Sequence, residues 1–437
     1  MPMARNFCKT GLSILLVFVM VAAGLSSCSP TREFIDFTDK VSQDMPTAGD
    51  TLTSLLDITR ALDEAMSRGE EELTFNAAGV EEDDIKNISA NLSSFWGKPV
   101  RYSIDNEFKE LEDVIPGQTV DVRKITNYFE LSNNFYVYDY IKNGNPVPDD
   151  KPNAKEIADA LPGIAAEIFT DPGATDYRKT LAAHDWLVAN IEYDETTPEY
   201  SDLNGTYGAL VLRRTMCLGY AEGLELLLKC YTDIEAVQIV GEALNSANEY
   251  IDNTENAENT ENAENSENIT VIENIEITEN TVNEETDASG GAWGGHAWNA
   301  VKLDGAWYQV DPTFDDPRGS PSRRISHFYF GQTDEVMQKN HRWAREFFPV
   351  SNTQNFLYFR QSGLFMEDWA GFEALLTEML KEEPFEYIEI AVKGSTIDEN
   401  NIQFLYQIRK ELEEIWWNEQ VWEDIHVLSI ELVYSPA

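Results

Sequence analysis

Along most of this chain apolar residues recur at helical or strand spacing. Residues 52–62 carry Leu52, Leu55, Ile58 and Leu62 at helical intervals, which predicts an amphipathic helix. A strand at 72–75, a second helix near 83–94, and strands around 100–103 and 134–140 complete a small α+β domain. A similar order returns near the C-terminus: helix 372–381, strand 387–392, helix 399–416 and strand 427–433. The runs Leu62-Asp-Glu-Ala-Met and Glu72-Leu-Thr-Phe resemble Leu375-Leu-Thr-Glu-Met and Tyr387-Ile-Glu-Ile, so the two flanks read as related modules. Between them, helices at 154–169 and 177–191 lead into a central stretch richer in motifs.

Two segments break the periodicity. Residues 11–24 form an apolar run behind Arg5 and Lys9, too short to span a bilayer comfortably, which reads as an export signal. It ends in Leu25-Ser26-Ser27-Cys28, which resembles the bacterial lipobox. That resemblance implies a diacylated Cys28 as the new N-terminus and a lipid-anchored, extracytoplasmic protein at the cell membrane; the alternative is an ordinary signal peptide with an incidental cysteine. The second exception, residues 248–287, repeats Glu-Asn triplets without a single Lys or Arg and lacks the apolar surface that ordering requires, so it reads as a disordered insertion.

These boundaries divide the chain into a signal peptide (1–27), a polar tether (28–48), an N-terminal α+β domain (49–150), a central domain (151–347) and a C-terminal α+β domain (348–437). The net charge of −46 makes nucleic acid a poor partner, because phosphate binding needs basic side chains to displace counterions. Cationic peptides, amines or divalent cations suit the surface better, and the expected partner is a protein or peptide at the cell envelope. Four cysteines fall to two once the signal is removed and Cys28 is lipidated. Cys217 and Cys230 on one helix would stand roughly 20 Å apart, so no disulfide is expected and a free thiol is left exposed to an oxidising compartment.

Cys217 stands at the predicted start of an apolar helix, where the helix dipole favours a thiolate, and Arg213 and Arg214 would add to that if they point the same way. Gly219 and Gly223 allow close approach of neighbouring groups. Downstream, two strand-like runs flank Asp304-Gly305, a hairpin signal. A two-residue turn pairs Leu303 with Ala306 and, counting outward, Trp298 with Asp311; His296 then lies diagonal to Asp311, within side-chain reach. Thiol, imidazole and carboxylate are the parts of a cysteine acyl-transfer site.

At this point the sequence resembles the transglutaminase-like superfamily. The matching pieces are Thr206-Tyr-Gly-Ala-Leu, Cys217-Leu-Gly-Tyr-Ala, Val240-Gly, Gly295-His-Ala-Trp-Asn, the run from Gly305 through Asp311 to Asp316, and His341-Arg-Trp. Phe314 stands where relatives often carry Trp. The resemblance implies a papain-like α+β fold with Cys217 on the helix and His296 and Asp311 on adjacent strands. It further implies a thioester-forming enzyme, peptidase, amidase or transglutaminase, that needs no cofactor. A catalytically idle binding module for envelope peptides or polymers is the alternative. The backbone N–H of Cys217 and the side chain of Tyr207 are the candidate oxyanion donors.

Other chemistry-bearing residues read as structural. Cys230 is expected in the core, and His184 in a structural hydrogen bond. His327, His341 and His426 lack zinc-ligand spacing, so no metal site is expected. Asp315 and Asp316 are read as a solvated turn, and Trp416, Trp417 and Trp422 as core aromatics.

Overall fold

The computed structural model describes residues 51–92, 94–110, 119–198, 201–244, 293–316, 324–382, 385–394, 404–410 and 412–434. The export signal, Cys28, the tether and the acidic insertion lie outside them. The described residues form two compact units. The first gathers those up to Ala243 with Gly295–Tyr308 and Arg342–Ser351; the second holds Leu244, Trp293, Gly294, Gln309–His341 and those from Asn352 onward. Both mix helices with sheets, as an α+β fold requires.

The first unit opens with a four-stranded module. Strand β1 (Thr51–Leu52) leads through helix α1 (Leu55–Ser67) to β2 (Glu72–Ala78), and helix α2 (Glu82–Asn91) leads to the hairpin β3 (Gly97–Glu110) and β4 (Thr119–Leu131). The strand order is β1-β2-β4-β3, with β1 parallel to β2 and the other pairs antiparallel. Ser54 caps α1 by accepting the Asp57 N–H, and Ile58, Leu62 and Met66 bury the face that the spacing predicts.

Four helices follow in the same unit: α3 (Asn133–Asn143), α4 (Pro152–Ile168), α5 (Asp176–Asn190) and α6 (Cys217–Tyr231). Short strands β5 (Glu192–Tyr193) and β6 (Arg214–Thr215) pair between α5 and α6. Helix α3 corrects an expectation, because 134–140 reads as a strand from its aromatic and branched residues. Local capping overrides that propensity: the Ser132 hydroxyl accepts the Phe135 N–H, and Gly144 closes the helix in the left-handed region. Beyond α6, β7 (Ala236–Leu244), β8 (Trp293–Leu303) and β9 (Ala306–Val310) neighbour one another, with β11 (His341–Arg342) on the far side of β7. Asp304 and Gly305 both have positive φ (50° and 88°), the two-residue turn predicted between β8 and β9.

In the second unit, β10 (Phe330–Gln332) pairs with the end of β9 through Phe330↔Val310, and the short helix α7 (Asp334–Met337) follows. After helix α8 (Leu357–Gln361) comes a second four-stranded module. It runs β12 (Phe365–Met366), α9 (Trp369–Glu382), β13 (Tyr387–Lys393), α10 (Phe404–Ile408), β14 (Leu412–Trp422) and β15 (Ile425–Tyr434). Its order, β12-β13-β15-β14, repeats the chain path of the first module strand for strand, including the parallel first pair. The buried positions correspond as well. Phe372, Leu376 and Leu380 on α9 match Ile58, Leu62 and Met66 on α1, and Ile388, Ile390 and Val392 on β13 match Leu73, Phe75 and Ala77 on β2. The expected helix over 399–416 is corrected here: within it only Phe404–Ile408 is helical, and 412–422 is strand β14. The residues that decide it are Ile415 and Trp417, opposite Leu432 and Ile430 of β15 and buried on one face of the sheet.

Candidate active site

Cys217 is the first residue of α6, and its side chain is partly exposed. Met216 before it is extended and provides no side-chain cap, and its carbonyl accepts the Gly219 N–H at 3.1 Å. The glycine at 219 is required by packing: a Cβ there would overlap the Thr215 side chain, and one at Gly223 would come within 3.3 Å of Leu187. The two arginines do not reinforce the thiol as their position suggests. The Arg213 guanidinium lies 4.2 Å above the Trp186 ring, and Arg214 is bound to Asp194 at 2.8 Å. The position of the thiol at the first residue of the helix remains, without help from these cations.

Cys230 lies in the last turn of the same helix and is 4% exposed. Burial pushes its thiol up to about 12, which makes it a core sulfur and not a nucleophile.

His296 sits near the start of β8, buried, with its ring stacked 5.7 Å from Trp298, two residues on. Trp298 is fully buried and meets Trp343 edge-on at 5.6 Å, so the surface behind the imidazole is rigid. Asn299 Nδ2 donates to the Ala221 carbonyl at 3.1 Å, a tie between β8 and α6 that is three residues from His296 and four from Cys217.

Thr206 and Tyr207 shape the approach to α6. The Thr206 hydroxyl donates to Asn134 Oδ1, and its backbone N–H donates to Glu222 Oε2 at 3.1 Å. Burial holds the Glu222 carboxyl up to about 7. The Tyr207 hydroxyl is 3.2 Å from Glu156 of α4 and donates to that carboxylate. An oxyanion contact would require Tyr207 to give up this partner.

Asp311 belongs to the second unit. It lies one residue beyond β9 and is fully buried, with its N–H donating to the Tyr329 carbonyl at 3.1 Å. Its Oδ1 accepts the N–H groups of Thr313 and Phe314 at 3.0 and 3.1 Å, and its Oδ2 lies 3.0 Å from Nε2 of His341. His341 is the residue that zinc-spacing arguments pass over. Its signal in the sequence is a place in His341-Arg-Trp, thirty residues from its partner. Asp315 is also corrected. It is fully buried rather than solvated, and its Oδ1 accepts the Tyr329 N–H at 2.9 Å.

Each of the remaining histidines faces a carboxylate. His184 is buried with Nδ1 2.9 Å from Asp185, His327 contacts Glu389 at 2.9 Å, and His426 contacts Glu419 at 2.6 Å. Trp417 and Trp422 are buried in the second module.

A family model described as the transglutaminase-like superfamily matches residues 163–312. No curated protein sequence matches the chain. Among solved structures, a TGase is similar at 13% identity and a TM-score of 0.22, over 56% of this chain and 51% of that one. A candidate cysteine protease from Cytophaga hutchinsonii is similar at 14% identity and a TM-score of 0.22, over 50% and 66%. The periplasmic domain of TgpA from Pseudomonas aeruginosa, bound to ethylmercury, is similar at 13% identity and a TM-score of 0.21, over 49% and 65%. This chain thus spans about half of the first and just under two thirds of the other two. Among the described residues, no helix is long and apolar enough to cross a membrane.

Proposed function

The chain carries a transglutaminase-like superfamily domain, and from that premise we propose that it is a cysteine enzyme acting on amide bonds of peptides or proteins at the cell envelope. The observation that carries this reading is the partly exposed thiol at the first residue of α6, tied through Asn299 to the strand that bears His296. In the proposed reaction His296 takes the Cys217 proton and the thiolate adds to the substrate carbonyl. The resulting oxyanion is met by the N-terminal end of α6, with the Cys217 backbone N–H as the proposed donor. Collapse of this intermediate breaks the C–N bond; His296 returns its proton to the departing amine, and a thioester remains on Cys217. Water then releases an acid, or a second amine releases a new amide. Asp311 fixes the imidazole tautomer that both proton transfers need. Hydrolysis is the favoured outcome, with Cys28 lipidated and the protein held at the outer face of the membrane.

Envelope peptides incubated with the wild type and with Cys217→Ala, then compared by mass spectrometry, test the reading. Cleaved, deamidated or cross-linked products that depend on Cys217 are expected, and the class of product separates hydrolysis from transfer. Identical product spectra from the two proteins would refute it.

A further inference from the structure

Asp311 is held by more than the task of facing one imidazole requires. Two backbone N–H groups fix Oδ1, and Nε2 of His341 sits 3.0 Å from Oδ2, with both side chains completely buried. An ionised carboxylate offers acceptor electrons only, so Nε2 of His341 must carry a proton. The other ring nitrogen faces an acceptor too: Nδ1 lies 2.7 Å from Asn340 Oδ1, whose amide Nδ2 donates to the Tyr329 hydroxyl at 2.6 Å, so Nδ1 donates as well and the ring is cationic. The Phe314 and Tyr329 rings lie 4.7 and 5.7 Å from the imidazole. Tyr329 also supplies the carbonyl that receives the Asp311 N–H. The chain Tyr329–Asn340–His341–Asp311 therefore closes on itself around the carboxylate.

We propose that His341, oriented by Asn340, is a positioning residue that keeps the Asp311 carboxylate ionised and in one orientation, and so sets the proton affinity of the catalytic base. The proposal rests on the reading of Cys217, His296 and Asp311 as one site. A contact that only stabilised the fold would affect melting when removed, but would leave the titration of the thiol where it was. Removing one charge-assisted donor from a buried carboxylate weakens its ionised form, and with it the imidazolium that supports the thiolate.

The test is the pH profile of Cys217 alkylation by iodoacetamide, read from the Cys217 peptide by mass spectrometry in the full chain. His341→Gln, which keeps a donor for Asp311 but no charge, should shift the midpoint less than His341→Leu does. His341→Leu should raise that midpoint by about one pH unit, making labelling roughly tenfold slower on the acid side. Asp311→Asn should shift it at least as far. A His341→Leu midpoint equal to wild type, beside a shifted Asp311→Asn, overturns the positioning role and leaves the Cys217 reading intact. An unmoved Asp311→Asn would defeat the Asp311 assignment itself, and the proposal with it. Wild-type nitrogen NMR needs no variant that might fail to fold, because the chain has five histidines. His341 is expected to keep its Nε2 proton from pH 5 to pH 9, and a deprotonated Nε2 in that range overturns the proposal.

Discussion

Replacing Asp63 by Asn should remove a pH dependence built into the first module. Asp63 lies on α1, 2% exposed, with Ser94 as its hydrogen-bond partner. One cation is near, Lys229 of α6, and its ammonium sits 3.2 Å from Glu225. Two buried carboxyls and one ammonium leave one carboxyl without a counter-charge. The geometry gives Lys229 to Glu225, so Asp63 keeps its proton, and burial pushes it from 3.8 up to about 8. A group raised on folding favours the folded state at low pH. Its contribution is complete below the unfolded value and is lost as pH climbs through the folded one, here between about 4 and 8. Each pH unit in that window costs about 1.4 kcal/mol, on the order of 4 kcal/mol between pH 5 and pH 8. The asparagine does not titrate and can still bond to Ser94. Glu222, held up to about 7, has the same sign in both proteins and cancels in their difference. Urea unfolding at pH 5, 6, 7 and 8 measures the effect: the wild type should lose stability with rising pH more steeply than Asp63→Asn. Parallel stability–pH curves would refute the reasoning.

Two further outcomes are expected. Cys28→Ala should move the protein from the membrane fraction to the soluble fraction of cells that process lipoproteins; unchanged fractionation would point to another anchor. Ile390→Ala, which empties a fully buried position in the second module, should cost about 2–5 kcal/mol by urea unfolding, and a loss below about 1 kcal/mol would mean that this core is not close-packed.

What the sequence made legible was whatever depends on short-range patterning. Helix α1, strands β2 and β13, helices α4 and α5, and the Asp304-Gly305 turn follow from spacing and turn chemistry within a dozen residues. Residues 133–143 and 412–422 were misread because composition and fold disagree there. The first has strand-like residues under a strong Ser132 cap, and the second a glutamate-rich run that sheet pairing converts to strand. The thiol and its helix were readable, but the destinations of Arg213 and Arg214 were not, since Trp186 and Asp194 lie 27 and 20 residues back in the chain. The partnership of Asp311 with His341 was hidden for the same reason: thirty residues and a helix separate them, and nothing local marks the histidine as anything but one more buried ring.

The repeated module carries a record of divergence inside one polypeptide. Matching α1 to α9 by their buried faces sets Asp63 opposite Thr377, a residue that does not ionise in the same range. The titrating acid is therefore a property of one copy and not of the shared architecture. It stands in the copy whose neighbour, Lys229, belongs to the helix that begins at Cys217. The second copy can thus serve as an internal reference: core substitutions at matched positions, such as Phe75 and Ile390, compare the same fold with and without that buried charge, in one solvent and at one concentration.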